Sequence, residues 1–233
     1  MPQDNTREAP EDPGDLYEER GVVPLSLPLM QGDVFRDLNW LGETAPPLSM
    51  IVQHPCTMRK GASLLERLTV VAVESRPPLS MKDWQGFGHL MPLPDLVAGG
   101  YWAADFRVTG SVPSDSIDRR CRIGTLSNLG VNILQQRLTH YMTRFTIDVR
   151  TLAVTFEGVA AEMELQYEWV DAALEASGNP DDLDLVLVEE QAFQDFLGAG
   201  GNAERRLKLK DALNRPDLRK EVRREIAKRF ATS

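Results

Sequence analysis

The period of the hydrophobic pattern changes near Ser127, and this change constrains the fold more than any other feature of the sequence. Before Ser127, short apolar or β-branched runs alternate with Gly and Pro, a pattern typical of many short strands. The strongest run is Leu68–Glu74 (LTVVAVE), of the kind that is buried on both faces of a sheet. After Ser127, apolar residues recur every three or four positions, which indicates amphipathic helices. The sequence therefore predicts an α+β fold, a small β-barrel or sandwich followed by a helical C-terminal half.

Short strands are predicted throughout residues 32–125. Their ranges are Val34–Leu38, Leu48–Gln53, Leu68–Glu74, Gly88–Leu93, Tyr101–Val108 and Arg120–Thr125. Pro92 and Pro94 are expected to break the pattern, because proline donates no ladder hydrogen bond. Gly21–Gln31, with two prolines, suits an extended lead-in or an edge strand, and Asn39–Leu48 reads as an exposed loop. Val70, Val71 and Val73 are predicted to form the centre of the core.

Two long helices should follow the strands. The first has an apolar face made of Leu134, Leu138, Tyr141, Met142 and Phe145, with Ser127 or Asn128 as its N-cap. The second carries apolar residues from Leu152 to Leu174 and should end near Gly178. The run Leu183–Val188 (LDLVLV) alternates like a strand but leads into a helical pattern, so both interpretations stay open.

Charge is distributed unevenly over a chain whose net charge is −9. Residues 1–20 hold seven acids and two bases, which predicts a disordered acidic tail. Residues 203–233 hold eleven bases and five acids, in two short helices. We expect this arm to pack against the acidic remainder of the chain. The predicted organisation is a tail at 1–20, a barrel with its closing helix at 21–145, a helical extension at 146–200 and a basic helical arm at 201–233.

Several classes of protein are not expected. The chain has only two cysteines and no apolar run of the roughly 18–20 residues that span a bilayer, and its N-terminus lacks the basic and apolar regions of a secretory signal. We therefore expect a cytoplasmic protein without a membrane partner. Common nucleotide-binding and hydrolase motifs are missing, and His54, Cys56, His89 and Cys121 do not have zinc-site spacing, so no cofactor or metal is expected.

The order of six segments resembles the MazF/PemK family of toxin-like proteins over residues 32–145. The segments are GDVFRDLN (Gly32–Asn39), SMIVQHPC (Ser49–Cys56), LTVVAVES (Leu68–Ser75), HLMPLP (His89–Pro94), YWAADFRV (Tyr101–Val108) and RRCRIGTLS with its helix (Arg119–Met142). The resemblance implies an SH3-like barrel closed by a helix, dimerisation through barrel and helix surfaces, and a toxin–antitoxin type of protein. It also implies metal-independent cleavage of single-stranded RNA.

Ser75 with Arg76 matches the position of the hydroxyl residue that the resemblance implies for such a ribonuclease. The arginine implied for the loop after the first strand has no counterpart, because Asn39–Leu48 contains no Lys or Arg and includes Glu43. A missing electrostatic group of this kind typically costs on the order of 10²–10³ in rate. We therefore predict a degenerate, non-catalytic barrel.

Other candidate binding residues lie at strand ends. His54 and Cys56 flank Pro55, where they either form a thiolate pair or belong to a packed elbow. The arginine cluster after Asp118 either contacts phosphate at a barrel rim or pairs with Asp115 and Asp118. The full set of binding candidates is His54, Cys56, Arg59, Lys60, Arg119, Arg120 and Arg122.

Three functions follow as hypotheses. The first is a non-catalytic binding or regulatory module that acts through protein–protein contacts, with a protein partner or in a homodimer. The second is a metal-independent endoribonuclease that uses Ser75 and Arg76. The third is a nucleic-acid-binding regulator that uses the basic C-terminal arm, which the net negative charge disfavours.

Overall fold

The computed structural model describes residues 7–42, 44–60, 63–78, 81–97, 99–198 and 204–230. The protein is α+β, with a curled antiparallel seven-stranded half-barrel sheet and long helices in its C-terminal half. None of the described helices is both long and apolar enough to cross a membrane.

The strands are β1 (Tyr17–Arg20), β2 (Val34–Arg36), β3 (Leu48–Ile51), β4 (Arg59–Lys60), β5 (Ser63–Leu64), β6 (Arg67–Ser75), β7 (Leu90–Pro94), β8 (Tyr101–Pro113) and β9 (Arg122–Leu126). The helices are α1 (Pro55–Met58), α2 (Met81–Gly86), α3 (Asn128–Thr143), α4 (Val149–Ser177), α5 (Leu183–Gly198), α6 (Glu204–Lys210) and α7 (Arg215–Phe230). The described residues form two compact units: those within 1–23, 29–58 and 65–155 make the first, and those within 24–28, 59–64 and 156–233 make the second.

The sheet of the first unit has the strand order β1-β9-β2-β3-β6-β8-β7. The inner strand β6 pairs with β3 on one side and with β8 on the other. Val70, Val71 and Val73 are at most 1% exposed, which confirms the predicted core. The expectation that Pro92 and Pro94 interrupt the strand is wrong, because both lie within β7, whose edge position leaves one side free of ladder bonds.

Asp33 joins β2 to β9 in the interior of the first unit. Its carboxylate accepts hydrogen bonds from the Met30 N–H (2.9 Å), from Arg122 Nη1 (3.0 Å) and from the Thr125 hydroxyl. The side chains of Asp33 and Arg122 are both fully buried. Gly32 precedes Asp33 with φ +94°, and a Cβ there would meet the Leu126 side chain at 2.7 Å, so this entry into β2 requires glycine.

The described part of the acidic N-terminal segment is ordered, so the prediction of a disordered tail is wrong for these residues. Asp12 caps a 3-10 helix at Pro13–Leu16, and β1 pairs with β9. Leu16 is fully buried, and burial of this apolar side chain stabilises the segment. A prediction from the number of charges alone does not take this burial into account. Residues 1–6 lie outside the described residues. The described residues Gly21–Gln31 contain no strand, so of the two predictions for them the edge strand is wrong, and the sheet edge is formed by the earlier β1.

The predicted change from strands to helices is confirmed. Ser127 caps α3, since its hydroxyl oxygen accepts from the Gly130 N–H at 3.1 Å. The predicted apolar face of α3 is only partly buried: Leu134 is fully buried, whereas Met142 and Phe145 are 72% and 64% exposed. The buried face also contains Gln136, Arg137 and His140.

The second unit is a helical cluster built on the part of α4 that begins at Phe156. Trp169 of α4 packs with Phe193 and Leu197 of α5 and with Leu218 and Val222 of α7. Residues 183–188 are helical, so the strand interpretation is wrong. Helices α6 and α7 contribute buried apolar residues and ion pairs to acids of α4 and α5, which confirms that the basic arm packs against protein.

Candidate functional site

A buried carboxylate in β8 organises a group of polar side chains in the first unit. A register shift between Val71 and Ala72 in the β6–β8 pairing places Asp105 opposite Ala72, and the residue is 1% exposed. Arg107 forms two side-chain hydrogen bonds to it, from Nε at 3.0 Å and from Nη2 at 2.6 Å. Arg76 Nη2 donates a third at 3.3 Å. Two guanidinium groups are therefore held by one carboxylate.

The charge state of Asp105 follows from these contacts. Burial alone would raise the pKa of this carboxyl, but the hydrogen bonds and the positive charge of Arg107 outweigh burial and hold the pKa below its ordinary value. Asp105 is therefore ionised at neutral pH. Its negative charge fixes the position of both arginines.

The predicted pair Ser75 and Arg76 lies at the end of β6, beside this carboxylate. The Arg76 N–H donates to the Tyr101 carbonyl at 2.8 Å, and its Nη2 also binds Glu74 at 2.9 Å. Within the described residues, Arg76 Nε is buried without a hydrogen-bond partner. Ser75 is exposed and faces Trp102 in the β6–β8 register. The structure thus brings Arg76 together with Asp105 and Arg107, which are not among the site residues predicted from the sequence.

His89 lies at the entry to β7, next to the same group. The His89 carbonyl accepts a hydrogen bond from the Phe106 N–H at 2.9 Å. The Phe87 ring lies edge-on to the His89 imidazole, with 6.0 Å between the ring centroids. Partial burial lowers the pKa of His89, and the charges of Arg107, Arg76 and Arg137 lower it further against the opposing effect of Asp105. The imidazole is therefore neutral at neutral pH.

Aromatic and apolar side chains continue this group toward the C-terminal end of α3. The rings of Phe106 and Tyr141 pack against each other, with 5.8 Å between their centroids. The Phe87 side chain is 42% exposed. Met142 and Phe145 follow Tyr141 and are largely exposed. We define the Arg107 surface as Arg76, Phe87, His89, Arg107 and Tyr141, together with Met142 and Phe145, which follow Tyr141 in the chain.

The three arginines around Cys121 do not form the expected surface cluster. Arg122 is fully buried and paired with Asp33, and Arg119 is 4% exposed. Only Arg120 is exposed, and it lies 3.8 Å from Asp118, one of the two acids predicted as partners. The expectation that Arg119 and Arg122 are exposed at a rim is wrong, because the β2–β9 pairing turns this segment inward. In the sheet, β2 and β3 lie between β9 and β6, so Arg122 of β9 is not on a strand next to Ser75 of β6.

The remaining candidates lie elsewhere in the chain. His54 Nδ1 accepts a hydrogen bond from the Cys56 backbone N–H at 3.2 Å, so this imidazole nitrogen binds the backbone of Cys56 and not its thiol. Burial lowers the pKa of His54. Arg59 and Lys60 form β4, in the β4–β5 hairpin of the second unit.

One sequence signal could have identified the site. In YWAADFRV, Asp105 falls between buried Ala104 and Phe106, and a carboxylate within such an apolar strand requires a cation beside it. Arg107, two residues later, is that cation. Comparison with models of known protein families gave no match, and no curated protein matched the chain either.

Proposed function

We propose that this protein is a non-catalytic binding module that docks a protein partner or a second copy of itself on the Arg107 surface. The observation that carries this proposal is a pair of arginines fixed by Asp105 in the strand whose Phe106 packs on Tyr141 of α3. Met142 and Phe145, which follow Tyr141 in the chain, are largely exposed. Aromatic residues, Met and Arg are the side chains enriched in protein–protein interfaces. Arg76 and Arg107 are already held by Asp105, so binding would cost little additional side-chain ordering.

Site-specific photocrosslinking tests this proposal. A benzoylphenylalanine at position 142 should give one discrete adduct in cells, either at twice the chain mass or with one partner protein. Arg107→Gln in the same chain should weaken that adduct at least several-fold.

The matched control places the same probe at Val154, which is 68% exposed but lies outside the Arg107 surface. Equal adducts from positions 142 and 154, or none from position 142, would contradict the proposal. Adduct mass distinguishes self-association from a different partner.

The MazF/PemK-like, SH3-like barrel belongs to this proposal as its structural framework. The curled antiparallel half-barrel and the helix after β9 support it, since they occur in the order that the resemblance implies. The toxin–antitoxin type and the cytoplasmic location follow from the same resemblance and from the sequence, and they too are proposals.

A metal-independent endoribonuclease is the second candidate. Neutral His89 could accept a proton, and Arg107 beside Arg76 supplies a cation that the loop after β2 lacks. The test is incubation with mixed single-stranded RNA in EDTA. Cleavage that is lost in Ser75→Ala/Arg76→Ala but kept in Ser116→Ala would establish this activity, and intact RNA would refute it.

The nucleic-acid regulator is the weakest proposal. Most basic side chains of α6 and α7 pair with acids of the second unit, so their charge is largely compensated. These basic residues are Arg205, Arg206, Lys208, Arg215, Arg219, Lys220, Arg223, Lys228 and Arg229.

A further inference from the structure

A second group of cations lies in the first unit, around the turn at Phe87 and Gly88. Arg137 of α3 is fully buried, and its guanidinium donates to the carbonyls of Trp84, Phe87 and Leu90 at 2.7–3.1 Å. Arg7 reaches the same turn, where its Nη1 lies 3.2 Å from the position that a Cβ on residue 88 would take. The His140 ring lies 3.5 Å from that position.

These side chains are almost completely removed from water. Arg7 is 9% exposed and His140 is 8% exposed. Burial, together with the charge of Arg7, lowers the pKa of Arg137 to about 9. Burial and the charge of Arg144 likewise lower the pKa of Arg7. Arg7 and Arg137 nevertheless remain cations at neutral pH, so like charges are buried side by side.

Within the described residues, no carboxylate pairs with Arg7 or Arg137. Arg7 Nε and Arg137 Nη1 are both buried, and neither has a hydrogen-bond partner among these residues. The neighbouring acid, Glu8, is engaged elsewhere, because its Oε1 accepts from the Val149 N–H at the start of α4. A buried cation without a counter-ion is strongly unfavourable.

We propose that Arg7 and Arg137, with His140 and Arg144 beside them, form a binding site for a phosphate-sized oxyanion. Planar guanidinium groups match the geometry of phosphate oxygens, and the unpartnered N–H groups are the donors such a ligand needs. The small exposed area favours a free inorganic anion over a phosphate carried by a macromolecule. None of the four side chains that form this site belongs to the Arg107 surface, so either proposal can fail without the other.

The test is thermal unfolding of the full chain in inorganic phosphate, compared with chloride at equal ionic strength. Phosphate should raise the melting temperature saturably, by roughly 5–10 °C at a hundred-fold excess over its dissociation constant. Sulfate should act in the same way, because it presents the same tetrahedral oxygens.

Arg7→Gln is the informative variant, because Arg137 also holds three carbonyls and its replacement would disturb the fold. Arg7→Gln should abolish the phosphate-dependent rise while leaving the melting temperature in chloride unchanged or higher, since a repulsion is removed. Arg120→Gln, which removes an exposed arginine, and Arg107→Gln should both keep the rise.

Other outcomes overturn the proposal. Equal melting temperatures in phosphate and chloride, or a rise that survives in Arg7→Gln, would do so. Loss of the rise in Arg107→Gln but not in Arg7→Gln would place the anion at the Arg107 surface instead. In phosphate-free buffer, marked destabilisation by Asp4→Asn or Asp83→Asn would show that an acid of this chain, beyond the described side chains, neutralises the arginines.

Discussion

The ion pair between Asp33 and Arg122 shows how one buried contact can decide the role of a charged residue. Removing two charges from water is costly, and the cost is offset here by additional bonds from the Met30 N–H and the Thr125 hydroxyl. The pair joins β2 to β9 across 89 positions of sequence. Arg122 therefore serves the fold rather than a ligand.

Replacing Asp33 with Asn should destabilise the first unit by about 3–5 kcal/mol, because Arg122 would remain buried without its counter-charge. Urea unfolding followed by circular dichroism measures this loss. Asp115→Asn, which removes an exposed carboxylate, should change stability by about 0.5 kcal/mol or less. If the two variants were equally stable, the pair would have no structural role. Adding Arg122→Met to Asp33→Asn should recover part of the loss.

The packing of α7 on α4 combines an apolar stripe with a row of ion pairs. Leu218 and Val222 are fully buried, as the four-residue spacing of apolar residues in this helix indicates. Beside them, Arg215, Arg219 and Arg223 pair with Glu157, Glu164 and Glu168 at 2.5–2.9 Å. The pairs advance in the same direction along both helices, so α4 and α7 run parallel.

Acidification should weaken this helix pair. Hydrogen bonds from Arg223 hold the pKa of Glu168 below its ordinary value of about 4.3, against the opposing effect of burial. The resulting stabilisation is therefore complete above pH ~4.3 and is lost as the pH falls through the lowered folded-state pKa. Glu168→Gln should cost about 0.2–1 kcal/mol at pH 7 and nothing at a pH well below that pKa.

Urea unfolding of wild type and Glu168→Gln at both pH values measures this difference. Lys220→Gln removes an exposed cation from the same helix and should leave the pH dependence unchanged. A Glu168→Gln effect of equal size at both pH values would mean that the side chain acts through packing rather than charge.

Periodicity was sufficient to predict the order of strands and helices, because the change at Ser127 is a local property of the chain. The ordered N-terminus was not predictable in this way. Strand β1 is only four residues long and three of them are exposed, so its conformation depends on pairing with β9 more than 100 residues later. Of the Arg107 surface, only Arg76 was predicted as a site residue, together with its neighbour Ser75. Asp105 and Arg107 were missed because their role depends on the register between β6 and β8.

The two edges of the sheet have a consequence for the behaviour of this protein at high concentration. One edge, β1, is short and exposes Glu18, Glu19 and Arg20, while the other, β7, contains Pro92 and Pro94. Charged and proline-containing edges prevent a foreign strand from extending a sheet. Both edges of the seven-stranded sheet therefore disfavour fibrous aggregation, and we expect a partner of this sheet to bind through side chains instead of by adding a strand.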